Sequence, residues 1–316
     1  MKSIMKKLML TAAVIASPLM ASADAHGDDL NYILVSHAPD SDSWWNTIKN
    51  GIALAGEQMG VNVEYRNPPS GDLADMARII EQAAASNPDG IITTLSDYDV
   101  LKGPVMAAVA QGIDVIIMNT GTPAQAAEVG ALMYVGQPEY DAGLAAGQRA
   151  ARDGVGSFLC VNHYISSPSS TDRCQGFADG LGVDLGNQMI DSGQDPAEIK
   201  NRVLAYLSAN PDTDAVLTLG PASADPTILA LQENGMAGDI YFGTFDLGEE
   251  IVKGLKSGII EWGIDQQPFL QAYLPVVVLA NYDRYGVLPG NNINSGPGFV
   301  TADGLAKVEQ FAGEFR

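Results

Sequence analysis

The chain has 316 residues, 46% of them hydrophobic and 17% charged, enough to bury one large core or two of moderate size. Its 38 acidic residues against 17 lysines and arginines give a formal charge of −21. Such a surface repels nucleic acid and anionic lipid, and because the acidic residues are scattered it reads as an ordinary solvated exterior.

Lys2, Lys6 and Lys7, an apolar run over 8–20 and the small residues Ala21-Ser22-Ala23 read in order as a secretory signal peptide, with cleavage after Ala23 or Ala25. The apolar run is shorter than the roughly 20 residues of a spanning helix. Losing the leader, which has three lysines and no acidic residue, takes the charge from −21 to −24. The first cysteine is Cys160, so none stands ready for a lipid anchor, and a free periplasmic protein is expected. Cys160 and Cys174 are the only thiols, and in an oxidising compartment an even pair on adjacent elements reads as a possible disulfide.

Beyond the leader, the spacing predicts a strand over 30–36 and a helix whose apolar face carries Trp45, Ile48, Ile52, Ala55 and Met59, closed by Gly60. A strand over 61–65, a helix over 72–86, a strand over 90–95, a helix over 100–111 and strands over 113–118 and 132–135 complete a first module. The alternation restarts with a helix at 140–152, then 157–162 (strand), 170–180 (helix), 188–191 (strand), 197–208 (helix), 215–219 (strand), 226–234 (helix), 240–245 (strand), 249–257 (helix) and 259–264 (strand). A last helix over 268–285 is apolar on several sides and belongs against a sheet. The fold class is therefore α/β: two similar α/β/α lobes with parallel sheets, abutting without a Pro- or Gly/Ser-rich linker.

Ligands of open parallel sheets sit beyond the carboxyl ends of the strands. Residues there include His37, Asp42, Trp44 and Trp45 after the first strand, Thr94 after the third, and Asn119 with Thr120 after the fourth. In the second module they are His163, Thr171 with Arg173, Asp246 and Gln266. Trp45 has the phase of the apolar stripe, which leaves Trp44 about 100° around the helix and free to face a cleft. Aromatic planes beside amide and carboxylate groups suit a sugar, with C–H groups on its faces and hydroxyls on its edge. His26, His37 and His163 are too scattered to predict a metal site. No G-x-S-x-G, G-x-x-x-x-G-K or G-x-G-x-x-G pattern supplies a nucleophile or a cofactor loop, so neither catalysis nor a cofactor is expected.

The stretch from Phe158-Leu159-Cys160-Val161-Asn162 through Thr171-Asp172-Arg173-Cys174-Gln175-Gly176-Phe177 resembles the periplasmic binding proteins of sugar uptake, of ribose- and galactose-binding type. So do Phe245-Asp246, Ile264-Asp265-Gln266-Gln267-Pro268 and Tyr134-Val135-Gly136-Gln137 before Gly143-Leu144-Ala145-Ala146-Gly147. The resemblance implies two lobes joined by a three-strand hinge, the first 24–137 plus 267–294 and the second 138–266 plus 295–316, with 1–23 as signal. It implies stacking by Trp44 and Trp45, a polar group at Asp42, a hydroxyl-binding carboxylate at Asp246 and an amide at Gln266. Asn119-Thr120 stands where ribose binders carry Asp-Arg, Gly220-Pro221 where they carry Asn-Asp, and Thr171 where they carry arginine, which argues against ribose itself.

The expected ligand is thus a small neutral polyhydroxylated solute, either a pentose or hexose other than ribose or a sugar alcohol. The expected partner is the membrane permease of an ABC importer, with the chain acting as a monomer. Alternatives are a receptor for a sugar-like signal feeding a chemotaxis or sensor partner, or a binder of another polar solute such as a nucleoside. A two-lobed gene regulator would carry a basic DNA-binding segment where this chain has its leader.

Overall fold

The β-branched runs and amphipathic stretches fold into two three-layer lobes, and the computed structural model describes residues 30–311 and 314–316. The predicted signal peptide lies outside the described residues. The first sheet has the order β11-β5-β4-β3-β1-β2, from β1 (Asn31–Val35), β2 (Asn62–Arg66), β3 (Gly90–Thr93), β4 (Asp114–Met118), β5 (Met133–Gly136) and β11 (Ile293–Asn294). The second has the order β12-β10-β9-β8-β6-β7, from β6 (Phe158–Asn162), β7 (Met189–Asp191), β8 (Ala215–Thr218), β9 (Tyr241–Phe245), β10 (Trp262–Asp265) and β12 (Gly298–Val300). Every pairing is parallel except β10 with β12. The chain passes between the sheets after β5, after β10 and after β11.

Strand alternation sends Tyr32 and Leu34 into a core with α1 (Trp45–Met59) and α10 (Pro268–Tyr285), and Ile33 and Val35 into the opposite core with α2 (Leu73–Ala85) and α3 (Tyr98–Ala110). In the second lobe α5 (Glu139–Arg152) and α6 (Pro168–Leu181) cover one face, and α7 (Pro196–Ala209), α8 (Pro221–Glu233) and α9 (Glu249–Ser257) the other. The stripe of α1 behaves as its spacing requires: Trp45, Ile48, Ile52 and Ala55 are buried, and Gly60 closes the helix at φ +62°. Asp72 and Asp97 cap α2 and α3 by accepting from Asp75 N and Val100 N.

The strand expected over 259–264 forms only from Trp262, the short strands β11 and β12 follow the last expected helix, and two helices differ from expectation. A short helix, α4 (Pro123–Glu128), begins where Thr122 accepts from Gln125 N; its single turn is too brief for periodicity to reveal. Helix α8 starts at Pro221 rather than Pro226, because a proline in the first turn needs no partner for its nitrogen and the second proline lies inside the helix. Cys160 on β6 and Cys174 on α6 are joined by a disulfide, their Cα atoms 5.9 Å apart.

Helices α5 and α6 cross with backbones almost touching. A Cβ added at Gly143 would stand 2.3 Å from Arg173 O, at Gly147 2.1 Å from Phe177 O, and at Gly176 2.2 Å from Tyr140 O. Alanine in a helix interior normally stabilises relative to glycine by about 0.5–1 kcal/mol. Gly147→Ala should reverse that sign and destabilise the protein by about 1–3 kcal/mol or more in urea unfolding, because the new methyl meets backbone.

Candidate functional site

The carboxyl ends of both sheets face one cleft. Its inner cavity, of about 110 Å³, is walled by His37, Asp42, Trp44, Trp45, Asn119 and Thr120 from the first lobe and by His163, Arg173 and Asp246 from the second, with Gln266 at a crossing. An outer groove of about 650 Å³ shares His37, Asp42, His163 and Tyr164 with it and adds Gln194, Lys200, Asp225 and Glu250. Together they lie in the usual size range of small-molecule sites.

The strand ends aim these groups by unusual backbone. Among the described residues four non-glycines have positive φ, and three of them stand at strand ends: Asn119 and Asp246 directly follow β4 and β9, and Gln267 is the second residue after β10. Left-handed geometry in such residues is uncommon and marks positions that the surroundings hold in place. Gly220 has φ +154°, and a Cβ there would lie 3.2 Å from Asp246 Oδ2, so this carboxylate needs glycine beside it.

The aromatic wall is built around α1. Asp42 Oδ1 accepts from Trp44 N at 3.1 Å, which fixes the entry to the helix. Trp44 is half-buried and meets Trp45 edge-on at 5.3 Å between ring centroids. Trp45 is buried in the first lobe's core, as its phase predicts, yet it reaches the cavity as well, because it packs edge-on against His37 at 5.2 Å. His37 in turn lies parallel to Tyr164 of the other lobe, centroids 6.0 Å apart and planes within 9°.

The polar wall is a continuous buried network. Gln266 Nε2 donates to Asp246 Oδ1 at 2.5 Å, and Asn119 Nδ2 donates to Gln266 Oε1 at 3.2 Å and Gln271 Oε1 at 2.9 Å. Gln271 Nε2 donates to Ser295 Oγ at 2.8 Å, so the chain of amides links two of the crossings. Arg173 gives Nε and Nη2 to the two oxygens of Glu139 at 2.6 and 2.8 Å and Nη1 to Leu219 O at 2.9 Å, and Nη1 stands 4.0 Å from Asp246 Oδ2. Glu139 also accepts from Gln137 Nε2 at 2.9 Å, within the first crossing.

Burial pushes the Asp246 carboxyl up to about 7, a rise that Arg173 and Gln266 only partly oppose. Burial also holds His37 down to about 4, and burial followed by the Arg173 charge does the same for His163, so both imidazoles are neutral at pH 7. His163 lines the cavity, and its Nδ1 is buried without a hydrogen-bond partner.

Two predicted site residues stand off the wall. Thr94 is wholly buried behind His37, its Oγ1 3.0 Å from Nδ1, and so sets the ring's orientation. Thr171 lies on α6 outside the cavity, which Ser170 and Arg173 of the same helix do reach, since each residue turns the helix face by about 100°. Ser167, Ser169 and Ser170 also line the cavity, although in the sequence their density at a helix start reads as capping. Glu139 and Gln271 belong to the site as well; a glutamine inside the apolar helix over 268–285 is a usable sequence signal, whereas a glutamate in a first helical turn is not. Among the described residues no group of three or more His, Cys, Asp or Glu forms a metal site, and no helix is long and apolar enough to cross a membrane.

Two α/β lobes on a triple crossing, with a cleft lined by aromatic and hydrogen-bonding groups from both, define a solute-binding protein. The chain belongs to the periplasmic binding protein family, whose domain matches residues 33–284; it is a family of binding proteins rather than enzymes, working in the periplasm. A carbohydrate transporter from Acidothermus cellulolyticus 11B, crystallised with myo-inositol, is 32% identical, with a TM-score of 0.82 over 90% of this chain and 99% of that one. A periplasmic sugar-binding protein of an ABC sugar transporter from Legionella pneumophila is 25% identical, with a TM-score of 0.77 over 84% of this chain and 99% of that one. The xylose/arabinose-binding protein XylF of Sulfolobus acidocaldarius is 26% identical over 267 residues, 79% of this chain, and the match spans 66% of that protein's length.

The raised Asp246 pKa fixes the sign of a pH effect. Between about pH 4 and 7 the folded carboxyl keeps a proton that the unfolded one has lost, so stability from this group falls as pH rises, by at most about 1.4 kcal/mol per pH unit. His37 and His163 act in the opposite direction but do so equally in an Asp246 variant. Asp246→Asn should therefore gain stability relative to wild type as pH is raised from about 4 to 7, measured by urea unfolding of the unliganded protein.

Proposed function

We propose that this chain is the solute-binding component of an ABC importer and captures a neutral sugar other than ribose, or a sugar alcohol, in its interlobe cleft. The observation that carries the reading is the cavity wall itself: two indoles face the Asp246–Gln266–Asn119 network and the unpartnered His163 Nδ1. Indole planes suit the C–H faces of a polyol ring, and the amides, imidazoles and serines offer donors and acceptors to its hydroxyls. The bound myo-inositol of the Acidothermus relative supports a cyclic polyol among the candidates. No step of chemistry on the solute is needed. The chain is exported by its leader, 1–23, and its lobes are 24–137 plus 267–294 and 138–266 plus 295–316.

Closure follows from contacts made on both lobes at once: the open form exchanges solute, and the solute shifts the population toward a closed form that presents the permease-docking surface. A thermal-shift panel of pentoses, hexoses, sugar alcohols, myo-inositol and nucleosides tests the reading. At 100 times its dissociation constant the true ligand adds about 2.7 kcal/mol of stability. A panel in which no neutral polyol raises the melting temperature, or in which only nucleosides do, refutes it.

The two tryptophans separate binding from packing. Trp44→Ala should abolish the ligand-induced shift and leave the unliganded protein folded. Trp45→Ala should lower the unliganded stability by about 3–5 kcal/mol, because that indole fills the core as well. Circular dichroism melts with and without ligand read both.

A further inference from the structure

Arg173 is the only cation among the described residues that wall the inner cavity. A free guanidinium there would be a ready fork for a carboxylate or phosphate, since its paired N–H groups match those oxygens two at a time. This one already has its charge matched and three of its five N–H groups engaged. Glu139 takes Nε and Nη2 from behind, Leu219 O takes Nη1, and Glu139 itself is buried off the cavity wall, held by Gln137. Burial by itself lowers the Arg173 pKa, and the Glu139 charge and hydrogen bond, joined by the Asp246 charge, together outweigh it and hold the guanidinium charged. What remains on the wall is Asp246, Asp42 and two imidazoles, with Asp225 and Glu250 in the outer groove beside Lys200.

We propose that Glu139 is a specificity-determining residue: by neutralising Arg173 from outside the cavity it turns the site against anionic sugars, the uronates and sugar phosphates, and reserves it for neutral polyols. This rests on the solute-capture reading above and adds to it the class of ligand refused and the residue responsible. Glu139 touches no ligand and acts through Arg173. Removing it exposes a guanidinium whose next neighbour is Asp246 at 4.0 Å, which changes the net charge facing a ligand by one unit.

The test is calorimetric titration of matched pairs: D-glucose with D-glucuronate, D-galactose with D-galacturonate, and myo-inositol with myo-inositol 1-phosphate. The wild type is expected to bind a neutral member at least about a hundredfold more tightly than its anion, because like charges brought together in a desolvated site repel strongly. Glu139→Gln should narrow that ratio by about tenfold or more, and Glu139→Asp should restore it. A merely structural Glu139 would weaken both members of a pair alike. Should Glu139→Gln not fold, the doubly substituted E139Q/R173M protein, which removes the pair together, is read instead. Its ratio should match the wild type, and a loss of residual anion binding would show that Arg173 attracts anions despite Glu139, which overturns the proposal. A wild type that binds both members of a pair equally, or a folded Glu139→Gln protein with an unchanged ratio, overturns it alone. The neutral polyol that the thermal-shift panel selects completes the set, titrated against its own phosphate ester; a protein that no neutral polyol of that panel stabilises overturns the solute-capture reading, and this one with it.

Discussion

A guanidinium buried between two helices needs a counter-charge within reach, and meeting that need organises the centre of this protein. Arg173 comes from α6 and Glu139 from the first turn of α5, so the two charges meet only if the helices cross very closely. Glycines at 143, 147, 176 and 180 allow that crossing by letting backbone lie on backbone. A buried ion pair is poor evidence of added stability, because desolvation takes back much of the attraction, but loss of one partner leaves a charge stranded. The pair therefore works as a constraint of position. It holds the start of α5, and with it Gln137 in the first crossing, against the second lobe's half of the cleft.

The same network joins recognition to hinge. From Gln137 through Glu139 and Arg173 the buried contacts reach Asp246, and from Asp246 through Gln266 and Gln271 they reach Ser295, so all three crossings between the sheets belong to one set of polar contacts. Buried polar groups with every partner in place specify one arrangement sharply, and a single unmet atom is costly. Gln137 Oε1, within the network, and His163 Nδ1, on a residue of the cavity wall, are such atoms. A solute hydroxyl bonded to the cavity wall would contact a set of groups whose positions are tied to the hinge.

Much of the site was legible because it follows strands whose ends are visible as local pattern. Asp42, Trp44, Trp45, Asn119, Thr120, Asp246 and Gln266 each stand directly after an apolar run or at the start of an amphipathic one, and the structure brings them to one cavity together with His37, His163 and Arg173. Thr94 and Thr171 have the same credentials and miss the wall, one behind a histidine and the other by a third of a helical turn. Glu139 left no sequence signal at all: an acid in a helix's first turn suits the helix dipole anywhere on a surface, and nothing local says that this one is buried.

By itself the sequence determined the α/β alternation, the phase of α1 that buries Trp45, the strand ends that carry hydrogen-bonding groups and an acidic surface hostile to nucleic acid. Each of these depends on residues close together along the chain, where periodicity and composition speak directly. Only the tertiary structure decided which strand ends meet, that Arg173 is neutralised rather than free, that His37 faces Tyr164 across the cleft, and that Asp246 is lifted toward neutral pH. Those outcomes depend on burial and on partners brought together from distant positions, Asn119 with Gln266 among them, and the loss of water around a charge is a property of the folded interior that no stretch of sequence carries alone.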